Sequence, residues 1–161
     1  MIRPVMAYVN VVWSSCDKRC LNHVLKLQKR VARIILDADS QASSVKLFNK
    51  LKWIPFYEQA KIAKCCIIYK HLQGDVPTYL TSFLKLSCET HSWKTRYANF
   101  NLACPIVKRQ KGGGRTFTVT TCKLWNSLPL TTHKLATLSS FKKLLWKNIF
   151  NNQQVLNHFI L

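Results

Sequence analysis

The chain lacks acidic residues over almost half of its length: Glu89 is the last one, and the following 72 residues hold eleven Lys or Arg. A segment without carboxylates supplies no oxygen ligands for a catalytic metal ion and no paired acid and base. It can still bind a polyanion, because neutralising phosphates and releasing their counterions requires only Lys and Arg. This absence favours a binding surface over a catalytic site.

Glycine is also scarce, with four residues at Gly74 and 112–114. Because glycine is among the residues that interrupt helices most readily, its scarcity favours helices. We therefore predict a mainly α-helical single unit over 1–150, with a small irregular or β-containing section around 94–119. The uncharged residues 151–161 are predicted to form a tail that frays. Helix signals fall at 19–36, 45–52, 56–73, 77–84, 120–125 and 141–150.

Long apolar runs are missing too, since no stretch approaches the length of a membrane span. Residues 1–13 look superficially like a signal peptide, but Asn10 interrupts the apolar stretch and no small-residue cleavage site follows. The seven cysteines are odd in number and irregularly spaced, which favours reduced thiols over a disulfide framework. We expect an intracellular protein, nuclear or cytoplasmic, that is not secreted and has no membrane partner.

Positive charge is what the chain has in excess: 25 Lys and Arg stand against six Asp and Glu, a formal net charge of +19. So large a surplus repels itself, and an acidic partner relieves the repulsion. Nucleic acid is the commonest such partner, and an anionic membrane surface is the second. We expect an RNA or DNA backbone as the partner, with no cofactor and no small-molecule substrate.

The clearest predicted helix, 19–36, carries a basic stripe. Its predicted buried face consists of apolar residues at helical spacing: Leu21, Val24, Leu25, Val31, Ala32 and Ile35. The stripe follows the spacing i, i+3, i+4 and i+7, and consists of Lys26, Lys29, Arg30 and Arg33. Such a stripe is often only a solvated face. Solvated faces usually mix signs, however, and no acid follows here until Asp37, so we favour contact with phosphates.

Two further basic segments are candidates for the same role. Residues 108–115 are predicted to form a flexible basic loop, which is not a P-loop because no Gly-Lys-Ser/Thr follows its glycines. The last predicted helix carries lysines on one side. The candidate phosphate contacts in these two segments are Lys108, Arg109, Lys111, Arg115, Lys142, Lys143 and Lys147. A plain linker explains the loop about as well, and simple solubility explains the helix about as well.

Metal and catalytic sites have little support in the sequence. The cysteines and histidines that offer zinc ligands are Cys16, Cys20 and His23, and farther on Cys88, His91 and Cys104. Structural zinc sites use two compact pairs, and a clean second pair is missing, so ordinary cysteines are the favoured interpretation. The close acidic pair Asp37 and Asp39 lies in a predicted turn, where Asp is common for local reasons. We expect neither a metal ligand nor a catalytic residue.

Several segments, read in order, resemble one family. They are residues 21–35, 51–55 (Leu-Lys-Trp-Ile-Pro), 69–80, 115–117 (Arg-Thr-Phe), 123–129 (Lys-Leu-Trp-Asn-Ser-Leu-Pro) and 140–145. Their order and spacing are similar to the C-terminal tail of the protein encoded by the second open reading frame of non-LTR (LINE-type) retrotransposons of the jockey kind. The resemblance covers nearly the whole chain, and residues 123–129 are its most specific piece.

The resemblance implies full-length relatives that carry an endonuclease and a reverse transcriptase upstream, nick DNA and copy their own RNA at the nick. The polymerase motif of the family, an aromatic residue followed shortly by two adjacent Asp, is absent here, and no endonuclease motif is visible. The resemblance therefore implies a fragment without catalysis of its own, from the region that holds template RNA or target DNA. The alternative is a segment that packs against the polymerase, or a relic, with no independent activity.

Overall fold

A computed structural model describes residues 10–77, 82–90, 97–108 and 113–158 of the chain. The fold is mainly α-helical, as predicted from the sequence. The helices of the described residues are α1 (Asn10–Trp13), α2 (Lys18–Ile35), α3 (Ser44–Lys50), α4 (Phe56–Leu72), α5 (Ser87–Thr90), α6 (Phe117–Asn126), α7 (Leu130–His133) and α8 (Leu138–His158), with a 3₁₀ turn at Gly113–Arg115. The helices predicted at 19–36, 45–52 and 56–73 are confirmed to within a few residues.

The C-terminal half of the helix prediction needs correction. The helix predicted at 120–125 begins earlier, at Phe117. The last helix begins at Leu138, because Thr137 and not a serine caps it: the Ser140 N–H donates to Thr137 Oγ1 at 3.2 Å. That helix continues to His158, through most of the segment expected to fray. The helix predicted at 77–84 lies partly outside the described residues.

Helices α2, α3 and α4 end in the same way. In each, an N–H beyond the helix donates to a carbonyl five residues earlier: Ala38 N to Arg33 O at 3.0 Å, Trp53 N to Phe48 O at 2.8 Å, and Asp75 N to Lys70 O at 2.9 Å. This is the Schellman arrangement, in which the residue just before the donor adopts the left-handed conformation. Those residues are Asp37, Lys52 and Gly74, with φ of 46°, 50° and 79°. Only the last is a glycine, so the first two ends carry backbone strain.

The described residues fall into two compact units, whereas a single unit is predicted from the sequence. Residues 10–60 and 146–158 belong to the first unit, and the described part of 61–145 forms the second. The boundaries fall inside α4 and α8, which have 17 and 21 residues. Neither helix contains glycine or proline, so no linker signal marks the division in the sequence.

The core of the first unit lies between α2 and α3. Ala32, Leu47 and Phe48 are buried there, and the Trp53 ring packs against Phe48 with a centroid distance of 6.4 Å. Ahead of α2, Trp13 stacks on Phe56 with centroids 5.3 Å apart. These tryptophans therefore serve packing in the first unit.

Trp125 is the centre of the second unit. Its side chain is 2% exposed and lies near Phe141, with ring centroids 5.8 Å apart, and against His133, with centroids 4.6 Å apart. Its indole Nε1–H donates to Phe100 O at 2.9 Å. Tyr69 packs on Phe141 from α4, with centroids 4.8 Å apart. Helices α4, α6, α7 and α8 thus share one aromatic core.

Several side chains of α6 bond to the section predicted to be irregular or β-containing, and Asn126 makes two of these bonds. Asn126 Nδ2 donates to Leu102 O, and Leu102 N donates to Asn126 Oδ1, both at 2.9 Å. On its other edge Leu102 forms an isolated antiparallel bridge with Leu86, and within the described residues this section contains no regular strand. The side-chain amide of Asn126 therefore makes the two hydrogen bonds to Leu102 that the backbone of a neighbouring strand would make. Trp125 and Asn126 both belong to the segment 123–129 singled out above.

Candidate nucleic-acid interface

Lys26 and Arg30 lie on the outer face of α2, and two buried side chains fix that orientation. Gln28 is 3% exposed and Ala32 is 0% exposed. Residues two positions apart in a helix point about 200° apart, so burial of Gln28 turns both of its basic neighbours outward. Lys26 and Arg30 are indeed exposed. Their Cα atoms are about 6 Å apart along the axis, and each can reach a separate phosphate.

The side-chain amide of Gln28 is hydrogen-bonded at both ends to the backbone that follows α3. Its Nε2 donates to Ile54 O at 3.0 Å, and its Oε1 accepts from the Phe56 N–H at 3.0 Å. Ile54 O also accepts from Gln59 Nε2 at 3.1 Å. A buried amide bonded at both ends holds α2 in one rotational setting, because any rotation breaks both bonds. The outward direction of Lys26 and Arg30 follows from these contacts.

The other two residues of the predicted stripe are half-buried. Lys29 and Arg33 are less exposed than Lys26 and Arg30. Arg33 Nη2 donates to Ala42 O at 3.5 Å, and its Nε is buried without a hydrogen-bond partner. Part of the hydrogen-bonding capacity of the Arg33 guanidinium is therefore used within the protein. The four residues that look equivalent in sequence divide into an outer pair and an inner pair.

Arg19 extends the outer pair toward the start of the helix. It is exposed and precedes Lys26 by seven residues, which places it on the same line. We call Arg19, Lys26 and Arg30 the outer stripe. Helix α2 carries six Lys or Arg and no Asp or Glu among its 18 residues. Arg19 is not among the contacts predicted from the sequence, although its spacing of seven residues from Lys26 was a sufficient signal.

Further cations lie on α3, which packs against α2. Lys46 and Lys50 are exposed and one helical turn apart, and Lys52 is exposed just after the helix. Helix α3 contains no acidic residue. These lysines were also not predicted as contacts from the sequence, because the short helix has no row of four basic residues at helical spacing. They enlarge the positive surface of the first unit.

The acidic pair Asp37 and Asp39 stabilises the turn after α2, as its position in the sequence predicts. Asp37 takes the left-handed conformation at the helix end. The Asp39 carboxylate accepts hydrogen bonds from both the N–H and the hydroxyl of Ser40. Both acids therefore have local structural roles.

The predicted loop 108–115 belongs to the second unit. Lys108 is exposed, whereas Arg109, Lys111 and the side chain of Arg115 lie outside the described residues. The ends of the loop approach closely: a Cβ on Gly113 would lie 2.5 Å from Val107 Cγ1. An open groove of about 510 Å³ lies beside them, lined by Pro105, Ile106, Val107, Lys108, Gly113, Thr116, Thr118 and Val119. Only Lys108 among the described lining residues carries a charge.

The lysines predicted on the last helix are exposed. Lys142 and Lys143 lie in the first two turns of α8 and belong to the second unit. Lys147 belongs to the first unit. The predicted contacts are thus divided between the two units.

An apolar seam runs along α2 beside the outer stripe. It consists of Cys20, Val24, Leu27, Val31 and Ile34, spaced by four, three, four and three residues. Leu27 is 59% exposed and Ile34 is 71% exposed. Ile35, predicted to be buried, is 52% exposed, because the core of this unit is covered by the Ala32 side of the helix. The spacing is that of a coiled-coil seam.

The thiols of the described residues are all free. Within those residues no three side chains of His, Cys, Asp or Glu gather where they could hold a metal ion. His91, one of the zinc ligands considered from the sequence, lies outside them. Likewise, none of the helices in the described ranges has the length and apolar character that a membrane crossing requires.

Comparison of this chain with family models, curated proteins and solved structures finds no match.

Proposed function

We propose that this chain is a basic, non-catalytic nucleic-acid-binding region, the C-terminal part of a LINE-type reverse transcriptase, and that the outer stripe contacts the phosphate backbone. The observation that supports this most is the exposure of Lys26 and Arg30, one turn apart, on a helix without acidic residues. Backbone contacts of this kind supply affinity and register without reading bases. The lysines of α3, loop 108–115 and α8 are further contacts in this proposal.

The rigidity of α2 supports the same function. Gln28 and Ala32 hold the helix from its inner side, so the cations of the outer stripe keep a fixed spacing. Fixed cations lose less conformational freedom on binding than cations on a loop. The family resemblance agrees with this role, because the matching part of such proteins lies beyond the polymerase.

A salt titration tests the proposal. The purified chain is titrated into fluorescently labelled single-stranded RNA and duplex DNA of equal length, and the dissociation constant is followed against salt concentration. Phosphate contact requires the logarithm of affinity to fall linearly with the logarithm of salt, with a slope of about 0.7 to 0.9 per neutralised phosphate. Binding that is undetectable at low salt, or independent of salt, would refute the proposal.

Arg33 offers a contrast within the same stripe. Because its guanidinium bonds to Ala42 O, we expect Arg33→Gln to lower the stability of the fold and to change the salt slope little. Lys26→Gln is the matched change on the outer face, and it should lower the salt slope by about one without loss of stability. Equal effects of both changes on the slope would contradict the division into outer and inner pairs.

A second function is favoured by the apolar seam. Leu27 and Ile34 are mostly exposed, and monomeric proteins rarely leave such a seam uncovered. In this alternative the chain packs against the polymerase domain and has no independent activity. Leu27→Ser with Ile34→Ser would then abolish association with an added polymerase domain and leave the salt slope unchanged. If the isolated chain stays monomeric in light scattering and binds no polymerase domain, the alternative fails.

A further inference from the structure

The apolar seam of α2 has positive charge along one of its two edges. Successive residues of an α-helix turn by about 100°, so Leu27 and Ile34 lie within about 20° of each other around the axis of α2. Arg30 lies about 40–60° to one side of them and His23 about 20–40° to the same side, and both are exposed. The buried Gln28 lies about 100–120° to the other side. The exposed part of the seam is therefore one row of side chains with a basic edge.

The width of this row distinguishes between two kinds of surface that would cover it. A helix that lies on a membrane presents a broad apolar face, whereas the row between Arg30 and the half-buried Val24 and Val31 is narrow. The two valines alternate with Leu27 and Ile34 in the a and d pattern of a coiled coil, and valine at a with leucine at d favours two strands. The seam therefore fits the apolar row of another helix.

Charge determines which helix fits. Helix α2 has six Lys or Arg and no Asp or Glu, so a second copy of α2 would bring cations against cations across the seam. The helices of the described residues supply no acidic edge either, because none of them holds two acids. The acidic residues of the chain are Asp17, Asp37, Asp39, Glu58, Asp75 and Glu89. The complementary occupant is therefore an acidic helix of a partner.

We propose that the apolar seam docks an acidic amphipathic helix of a partner as the second strand of a short coiled coil. The apolar row of the partner covers Leu27 and Ile34, and its carboxylates lie opposite Arg30 and His23. Opposite charges beside a seam select the partner and its orientation. The proposal rests on the second function above in taking the seam as an interface, and it adds the chemistry of the occupant.

A synthetic peptide is the defined probe for this site. It has about three heptads, with valine at a, leucine at d and glutamate at e and g. Because its like charges repel, it does not pair with itself, and its helix content in circular dichroism should rise when the full-length chain is added. Fluorescence anisotropy of the labelled peptide gives the dissociation constant. Two further peptides, one with lysine at e and g and one with serine at a and d, should bind at least about tenfold more weakly.

Variants of the chain locate the contact. Leu27→Ser with Ile34→Ser should weaken binding of the glutamate peptide at least about tenfold, whereas Ile106→Ser, at an exposed residue of the second unit, should leave it unchanged. Arg30→Glu should weaken the glutamate peptide and strengthen the lysine peptide. Lys46→Glu makes the same change in net charge on α3 and should leave both dissociation constants near the wild-type values. If the double serine variant loses helix content, the exchange of preference in Arg30→Glu decides alone.

Several results would overturn the proposal. Equal binding of the glutamate peptide and its serine counterpart would show that net charge alone attracts them. Binding to phosphatidylserine vesicles that depends on Leu27 and Ile34, with no binding of the peptide, would make a lipid surface the occupant. A dimer in light scattering that the double serine variant abolishes would make a second copy the occupant. The titration contains no nucleic acid and no polymerase domain, so its failure is separate from a failure of either proposed function.

Discussion

Replacing Gln28 by methionine tests how α2 is held. Met has nearly the volume of Gln, so the change removes hydrogen bonds at a site that is 3% exposed without opening a cavity. Two bonds of 3.0 Å are lost, and the Phe56 N–H is left without its acceptor, while Ile54 O keeps Gln59. The loss of two hydrogen bonds, together with one buried N–H left without an acceptor, predicts a decrease of about 2–4 kcal/mol in the free energy of unfolding.

Urea unfolding followed by far-ultraviolet circular dichroism measures this loss. Gln41→Met, an exposed glutamine in the α2–α3 turn, is the matched control and should change stability by less than about 0.5 kcal/mol. The reasoning is refuted if Gln28→Met unfolds within that margin of the wild type.

A double-mutant cycle with Gln59 sharpens the test. Gln59→Met alone leaves Gln28 on Ile54 O and should cost about 0.5–1.5 kcal/mol. Only the double variant leaves that carbonyl without either amide donor. We therefore expect the double loss to exceed the sum of the single losses by about 1 kcal/mol, and additive losses would contradict the shared acceptor.

Three other changes probe the second unit and the helix ends. Asn126→Leu leaves the N–H and the C=O of Leu102 without their partners, and should cost about 2–4 kcal/mol in urea unfolding. The His133 ring bonds through Nε2 to Trp125 O, and burial lowers the pKa of His133 in the folded chain. As the pH falls, the unfolded chain therefore binds a proton at this histidine before the folded chain does. The free energy of unfolding should then decrease as the pH drops below about 6.5 toward the folded pKa. His133→Phe, which keeps the stack on Trp125, should remove that loss. Lys52→Gly, at a φ of 50°, should stabilise the fold by about 0.5–1 kcal/mol, measured by thermal unfolding.

Each of these substitutions has a matched control substitution elsewhere in the chain. Asn22→Leu alters an exposed residue of α2 and should have little effect on stability. His23→Phe removes an exposed histidine and should leave the loss of stability at low pH in place. Lys46→Gly lies inside α3 and should destabilise by about 1 kcal/mol, opposite in sign to Lys52→Gly. A common sign for the two lysine changes would contradict the Schellman interpretation.

The helices were predictable where local signals are strong. The periodicity of α2 and the glycine after α4 define both elements, because amphipathic spacing and a left-handed C′ residue act through neighbours in sequence. Lys52 carries no such signal, since a lysine in the left-handed conformation is disfavoured and is held there by Trp53 N and Phe48 O. The division into two units, inside helices without linker residues, also had no local signal.

The candidate site was predictable in position but not in detail. Lys26, Lys29, Arg30 and Arg33 share one stripe by spacing alone, and helical spacing cannot tell which of them turns inward. That depends on Gln28, a polar residue that reads as solvent-facing until its bonds to residues 54 and 56 are seen. The bridging role of Asn126 is equally non-local, because its partner lies 24 residues away.

The most direct test of the central claim compares the salt dependence of two charge-matched variants. Lys26→Gln with Arg30→Gln removes two exposed cations from the outer stripe, and Lys85→Gln with Lys123→Gln removes two exposed cations from the second unit. Phosphate contact by the stripe predicts that the first pair lowers the slope of log affinity against log salt by about two, whereas the second pair leaves it near the wild-type value. Equal slopes for the two double variants would show that net charge alone governs binding, and would contradict an interface on α2.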